Sequence, residues 1–292
     1  GLKEGTPVIT SGADTQMALI GVGAVKPNIY TLVGGTFWQA TLVTDKPLYD
    51  PEFRLRLVCH AVPGQWVTEG VGFQIGFTMR WFRDGFCQEE KTLAIKQNRD
   101  SYTLMEELAS AIPAGSNGVN AIFSYAMNVK KWRHGPPSFI GFNILEPEKT
   151  GKAACIRAIE ESAAYVSRSH FETLTELSNK EPSEIIFAGG SSKGFLWPQI
   201  ISDVMGVPVR IPVVKEATSL GSAICVMMAL GEYNEWNEAI DQVVHWDRIS
   251  EPILNNHSIY DEAYRRWLDI YEHMFQIADK GLSPSLWRAP GI

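Results

Sequence analysis

The sequence predicts an α/β layered domain. Its second half alternates long helix, short apolar strand, helix, strand and helix, the order that stacks helices on a sheet. The first half reads as strands with helices inserted. No Pro/Ser-rich linker, repeat or low-complexity tract interrupts the chain, so its 292 residues read as one continuous domain.

PVITSG, residues 7–12, predicts a short strand that ends in a turn. Asp14 then opens DTQMALIGVGA, where Met17, Ala18 and Ile20 give a helix an apolar side and the carboxylate an N-cap. IYTLVGGTFWQATLV (29–43) reads as two β-rich runs folded about Gly34 and Gly35. GFQIGFTMRWFRDGF begins near another glycine turn and continues as a helix through Met79, Arg80, Trp81 and Phe82, with Trp81 expected in the core. Residues 113–148, rich in Pro, Gly and aromatics, read as irregular. Thr150 is the expected N-cap of a long helix through KAACIRAIEESAAYVSRSHFETLTELS. EIIFAGGSSKGFLWPQIISDVMGVPV (184–209) predicts a strand over 184–188, a polar glycine turn, and an amphipathic helix stopped near Gly206 with Pro208 beyond. PVRIPVV is a second apolar strand. SLGSAICVMMALG is a helix apolar almost all round, and burial is expected for it.

Hydrophobic and charged shares of 45% and 20% are those of an ordinary soluble domain. A net charge of −7 without a Lys/Arg cluster argues against nucleic acid as the main partner. No apolar run approaches the roughly 18 residues of a membrane helix, and GLKEGTPVIT is no signal peptide, so no membrane partner is expected. Cys59, Cys87, Cys155 and Cys225 are scattered without a Cys-x-x-Cys pair. Packed or idle thiols in a reducing, cytoplasmic setting fit them better than a disulfide framework or a zinc site. The histidines show no metal-site spacing, and no protein-bound metal is expected. The chain starts within a turn or so of its first predicted strand, as a domain cut at its boundary would.

Gly189, Gly190 and Gly194 stand at the tip of a predicted buried strand, where glycine lets a ligand approach the backbone. GGSSKG does not match the dinucleotide fingerprint G-x-G-x-x-G, and no segment matches the Walker loop. A glycine pair there serves equally as a tight strand-to-helix turn. Four segments, however, place glycine or small polar residues where a strand or helix ends: SGADTQ, VGGTFW, QIGFTMRW and FAGGSSKG. If these converge, their unpaired N–H groups would cradle phosphate without a Walker lysine.

Taken in order, these four segments resemble the C-terminal domain of the FGGY carbohydrate kinases, two-domain phosphotransferases of the actin-like superfamily. The likeness covers essentially the whole chain. It implies an actin-like ATPase (ribonuclease-H-like) fold, a mixed sheet flanked by helices, with residues 1–292 as the nucleotide-binding half and the N-terminal substrate domain absent from the chain. Within the family the chain is most similar to the autoinducer-2 kinases, through GGTFWQ (34–39), TMRWFRDGFCQEEK (78–91), FAGGSSKGFLW (187–197), IPVVKEATSLGSAI (211–224) and SLWRAPGI (285–292). That implies phosphorylation by ATP, with Mg²⁺ arriving on the nucleotide, of the terminal hydroxyl of the linear autoinducer-2 precursor, 4,5-dihydroxypentane-2,3-dione. FSYAMNVKKWRHGPPSF (123–139) stands where sugar kinases carry an Arg-Ala-Pro-rich stretch, which disfavours the alternative of a pentulose or polyol kinase. A non-catalytic actin-like nucleotide-binding regulator is the alternative from another class.

The resemblance puts the catalytic base on Asp14 and the phosphate loop on Gly35 and Thr36. Gly76 and Arg80, five and one residues before Trp81, fall on nucleotide-side positions. Gly189 and Gly190 fall on the adenosine motif, with a second contact on Gly194, where glycerol-kinase-like members often carry Asn and this chain offers only backbone. Asp14 would accept the substrate hydroxyl proton and aim its oxygen. Plainer roles are open beside these: a helix cap for Asp14, a strand residue for Thr36, a solvated helix residue for Arg80, a solvated Lys215–Glu216 pair. The helix 217–230 is expected behind the nucleotide, with Gly221 and Ser222 allowing close approach. Partners implied are the enzyme's own N-terminal domain and a phosphocarrier protein of sugar uptake as regulator. The isolated chain is expected to bind nucleotide weakly and turn over little or nothing.

Overall fold

The structure, a computed structural model, describes residues 1–35, 37–125 and 134–286. Thr36, residues 126–133 of the 123–139 stretch and the WRAPGI end of the tail lie outside the described residues. In chain order the elements are α1 (Asp14–Gly21), β1 (Tyr30–Gly34), β2 (Trp38–Thr44), β3 (Arg56–Cys59), β4 (Trp66–Gly72), α2 (Ile75–Phe86), α3 (Gln88–Gln97) and α4 (Ser101–Ser110). A small hairpin follows, β5 (Asn120–Ile122) with β6 (Ser138–Ile140), then α5 (Pro147–Thr150) and α6 (Lys152–Ser178). The last third holds β7 (Ile185–Ala188), α7 (Leu196–Met205), β8 (Val209–Pro212), α8 (Ala217–Ala229), α9 (Trp236–Val243), β9 (Trp246–Ser250) and α10 (Leu254–Asp279).

Among the described residues seven strands make one mixed sheet in the order β3-β4-β2-β1-β7-β8-β9. β1 pairs antiparallel with β2 and parallel with β7, and β7 is parallel to β8. Strand alternation sorts the side chains between two cores. Tyr30, Leu32, Trp38, Ala40, Leu42, Ile185 and Phe187 pack with α6, α7 and α10 on one face. Val43, Val67, Ile186 and Ala188 pack with Ala18 and Leu19 of α1, Val22 just beyond it and Ala217 of α8 on the other. The sheet is therefore covered on both faces, and its central strands carry near-continuous apolar runs for that reason.

α1 and α8 cross with backbones touching. A Cβ on Gly21 would stand 1.9 Å from the Ala217 carbonyl oxygen, and one on Gly221 would stand 1.8 Å from that of Met17. The close approach Gly221 permits is thus to α1.

Several local expectations are corrected. Residues 7–12 form no strand: Val8 is 90% exposed, and without a ladder partner β-propensity alone does not hold an extended segment. Thr150 closes α5 and clasps the preceding loop, its hydroxyl accepting from the Asn143 N–H and donating to the Asn143 carbonyl at 3.1 Å each, while Gly151 takes the cap position of α6. α8 buries only the stripe Ala217, Gly221, Ile224 and Cys225 and exposes Val226 and Leu230, because it packs on one side against α1. α1, held between sheet and α8, is the enclosed helix. Trp81 is half-exposed, its ring edge-on to Phe86 and tilted against Phe123. Lys215 pairs with Asp247 at 2.9 Å rather than with its neighbour Glu216.

Candidate active site

β1 and β7 are parallel neighbours and end at the same edge of the sheet, where open α/β sheets bind ligands. Their tips are fitted to each other. Gly189 has φ +95°, and a Cβ on it would stand 2.3 Å from the Gly34 carbonyl oxygen. Glycine is obligatory there for the fold, and Gly189 does not line the cleft that opens beside it.

That cleft, about 430 Å³, is lined by Gly34 and Gly35 from the β1 tip, Gly76 and Arg80 from α2, and Gly190 and Gly194 from the turn after β7. The structure therefore brings together Gly35, Gly76, Arg80, Gly190 and Gly194. Around Gly190 there is open space where a Cβ would stand. Gly194 faces Glu106: a Cβ would meet the Glu106 carboxylate at 2.2 Å, and that carboxylate accepts the Leu196 N–H at 2.6 Å, serving the start of α7. Phe195, the cap residue of α7, makes no side-chain bond to the helix.

Arg248, on β9, holds the turn from outside. Its Nη2 donates to the carbonyls of Ser192 at 3.0 Å, Lys193 at 3.3 Å and Gly194, and its guanidinium lies 4.7 Å from the Phe195 ring centroid. Arg248 and Glu106 are not among the residues the sequence points to. Both reach the turn from more than fifty residues away, and no local pattern marks either. Lys193, inside GGSSKG and not among the expected site residues, also lines the cleft.

Asp14 stands exposed at the first position of α1, not at its cap; Ala13 holds the cap with extended backbone. The Thr15 N–H donates to Asp14 Oδ1 at 2.8 Å, which fixes one carboxylate oxygen at the helix start. Asp14 does not line the glycine cleft. The β1–β2 turn lies between them: Gly34 and Gly35 line the cleft, while Gln39, four residues further on, reaches the Thr15 hydroxyl at 3.4 Å. Behind Thr15, on the same face of the sheet, Glu69 is 2% exposed and accepts from Arg56 Nε at 2.5 Å. Burial pushes the Glu69 carboxyl up, Arg56 opposes this, and the charge of Asp14 adds to it. The signal for Glu69 in the sequence is an acid inside the otherwise apolar, glycine-rich TEGVG. A second cavity, about 490 Å³, lies beside α1 and is lined by Ser11, Gly12 and Gln16, with Cys59 and His60 opposite.

The arrangement can seat an anion on the backbone at the strand tips and extend a ligand along α2 and α7. No group of three or more His, Cys, Asp or Glu that could hold a metal occurs among the described residues. No helix of the described residues is long and apolar enough to cross a membrane.

Comparison with known proteins gives the same family as the motifs. The model of the FGGY family of carbohydrate kinases, C-terminal domain, matches residues 32–230. The chain is 45% identical over 292 residues to autoinducer-2 kinase of Escherichia coli (strain K12), covering 100% of this chain and 55% of that protein. It is 44% identical, with the same coverage, to autoinducer-2 kinase of Yersinia enterocolitica serotype O:8. Xylulose kinase from Rhodospirillum rubrum shares the fold, with a TM-score of 0.76 at 21% identity over 94% of this chain and 53% of that one. The chain thus has the actin-like ATPase fold of these kinases and spans about half the length of the curated relatives it matches. On its sequence, its sheet order and its glycine-lined cleft, the chain belongs to the FGGY family of carbohydrate kinases.

Proposed function

We propose that residues 1–292 are the nucleotide-binding C-terminal half of a two-domain kinase that transfers the γ-phosphoryl group of ATP to the terminal hydroxyl of linear 4,5-dihydroxypentane-2,3-dione. The observation that carries this is the meeting of three separated glycine segments in one cleft at the β1 and β7 tips, with the Asp14 segment on the far side of the β1–β2 turn, in a chain 45% identical throughout to autoinducer-2 kinases. In this proposal the phosphates lie at the β1–β2 turn, with Gly35 and Thr36, and the adenosine lies between α2 and the turn holding Gly190 and Gly194. Arg80, at the exposed rim, faces the phosphate chain. Asp14 takes the proton of the acceptor hydroxyl; the freed oxygen bonds to the γ-phosphorus, and the bond to the β–γ bridging oxygen breaks, its electron pair leaving with ADP. Mg²⁺ neutralises charge on the phosphates and is carried by them. The N-terminal substrate domain, the phosphocarrier regulator and the cytoplasmic setting belong to the same proposal.

Catalysis of this kind needs the two halves to close and exclude water, so turnover belongs to the longer enzyme. The test is ADP release by the longer enzyme offered 4,5-dihydroxypentane-2,3-dione, D-xylulose and glycerol in parallel. The expected result is the highest kcat/KM for the dione, with little or no release by residues 1–292 alone. Preference for xylulose or glycerol would reassign the substrate, and no release with any acceptor would favour the non-catalytic regulator.

A further inference from the structure

The cleft has an exposed rim and a buried floor. Phe77, Arg80, Lys193 and Phe195 stand at the rim. Met79, Met105, Trp197 and Glu160 make the floor, each less than a tenth exposed. Trp197 stacks on Trp38 of β2 with ring centroids 5.1 Å apart, which ties the floor to the sheet.

Glu160 is out of place on such a floor. Its neighbour on α6, Glu161, shows how this fold treats a structural acid: Arg157 Nε, the Ser116 hydroxyl and the Gly115 N–H all donate to it within 3.0 Å. Glu160, at 4% exposure, has no hydrogen bond among the described residues, and its Oε2 is fully buried without a partner. Trp197 Nε1, on the same floor, is a buried donor without a partner. Burying a carboxyl and an indole N–H unpaired costs free energy, and a ligand that supplies both partners recovers it. Burial, with Glu106 adding to it, holds the Glu160 carboxyl well above the ordinary carboxylate range, so it suits a neutral ligand edge better than a cation.

We infer that Glu160 accepts a hydrogen bond from the exocyclic amino group of an adenine seated on this floor, with Trp197 Nε1 donating to a ring nitrogen, so that the pair selects a 6-aminopurine nucleotide. The inference rests on the proposed nucleotide seat and adds the group that reads the base. Glu160 touches no phosphate in this arrangement; it sets base preference and leaves the reacting atoms alone.

The test compares Mg·ADP with the Mg complex of purine riboside 5′-diphosphate, which differs only in lacking the 6-amino group, by calorimetry on this chain. Wild type is expected to prefer ADP by about tenfold, the worth of one good hydrogen bond to a buried acceptor. Glu160→Gln, whose amide oxygen still accepts, should keep the preference. Glu160→Leu should bind both ligands equally, near the wild-type affinity for the analogue. Equal wild-type affinities overturn the inference without any variant, and so does a Glu160→Leu chain that keeps the preference. A wild-type chain that takes up neither ligand overturns the nucleotide seat itself, a result distinct from seat occupancy without base preference.

Discussion

Asp14→Asn in the longer enzyme is expected to lower kcat by about a thousandfold, the usual worth of a positioned general base, and to leave the Kd for Mg·ADP unchanged. Asn keeps the shape of the side chain and an oxygen to accept the Thr15 N–H at 2.8 Å, so the start of α1 is preserved. What is lost is the charge and the capacity to take a proton. Asp14 lies outside the glycine cleft, so nucleotide affinity should not register the change. Steady-state ADP release and calorimetry on the same preparations separate the two readouts. A kcat within tenfold of wild type would leave Asp14 as a helix-start residue only.

Gly221→Val is expected to destabilise the fold by about 3 kcal/mol or more, at the upper end for overpacking a core. The Cβ would stand 1.8 Å from the Met17 carbonyl oxygen and 2.9 Å from the Gly21 amide nitrogen, both backbone atoms that no rotamer change moves. The helices must separate instead, opening the cluster of Met17, Ile20, Ile224 and Cys225 that their contact buries. α1 carries Asp14, so activity of the longer enzyme should fall with stability. Gly85→Ala is the matched control: it is a helical glycine on α2 with nothing within 4 Å of the added Cβ, and the change should be neutral or stabilising by about 0.5 kcal/mol. Urea midpoints read both variants. Equal effects at Gly221 and Gly85 would contradict the close crossing.

What the sequence made legible follows from what local pattern can encode. The β1–β2 hairpin about Gly34 and Gly35, the helix through Met79–Phe82 and the strand–turn–helix over 185–205 all carry their own punctuation and periodicity, and all form. Residues 7–12 mislead because a strand is made by its partner, and none is there. α8 misleads because its apolar composition says nothing of how many sides are covered. The same limit governs the site. Glycines that line the cleft are visible as interruptions of apolar runs, whereas Arg248 and Glu106 matter through contacts made across the fold, and Glu160 reaches the floor only because α6 packs beneath it. Gly189 and Gly190 are adjacent and alike in sequence, yet the first is needed for its contact with Gly34 and only the second faces open space.

That difference makes Gly190→Val the sharpest probe of the central claim. The valine Cβ stands in open space at the cleft lining, with nothing within 4 Å of it. Calorimetric titration of this chain with Mg·ADP should show binding by wild type and none by Gly190→Val, with both proteins melting at the same temperature. Undiminished binding by a folded Gly190→Val chain would contradict the assignment of this cleft as the nucleotide seat.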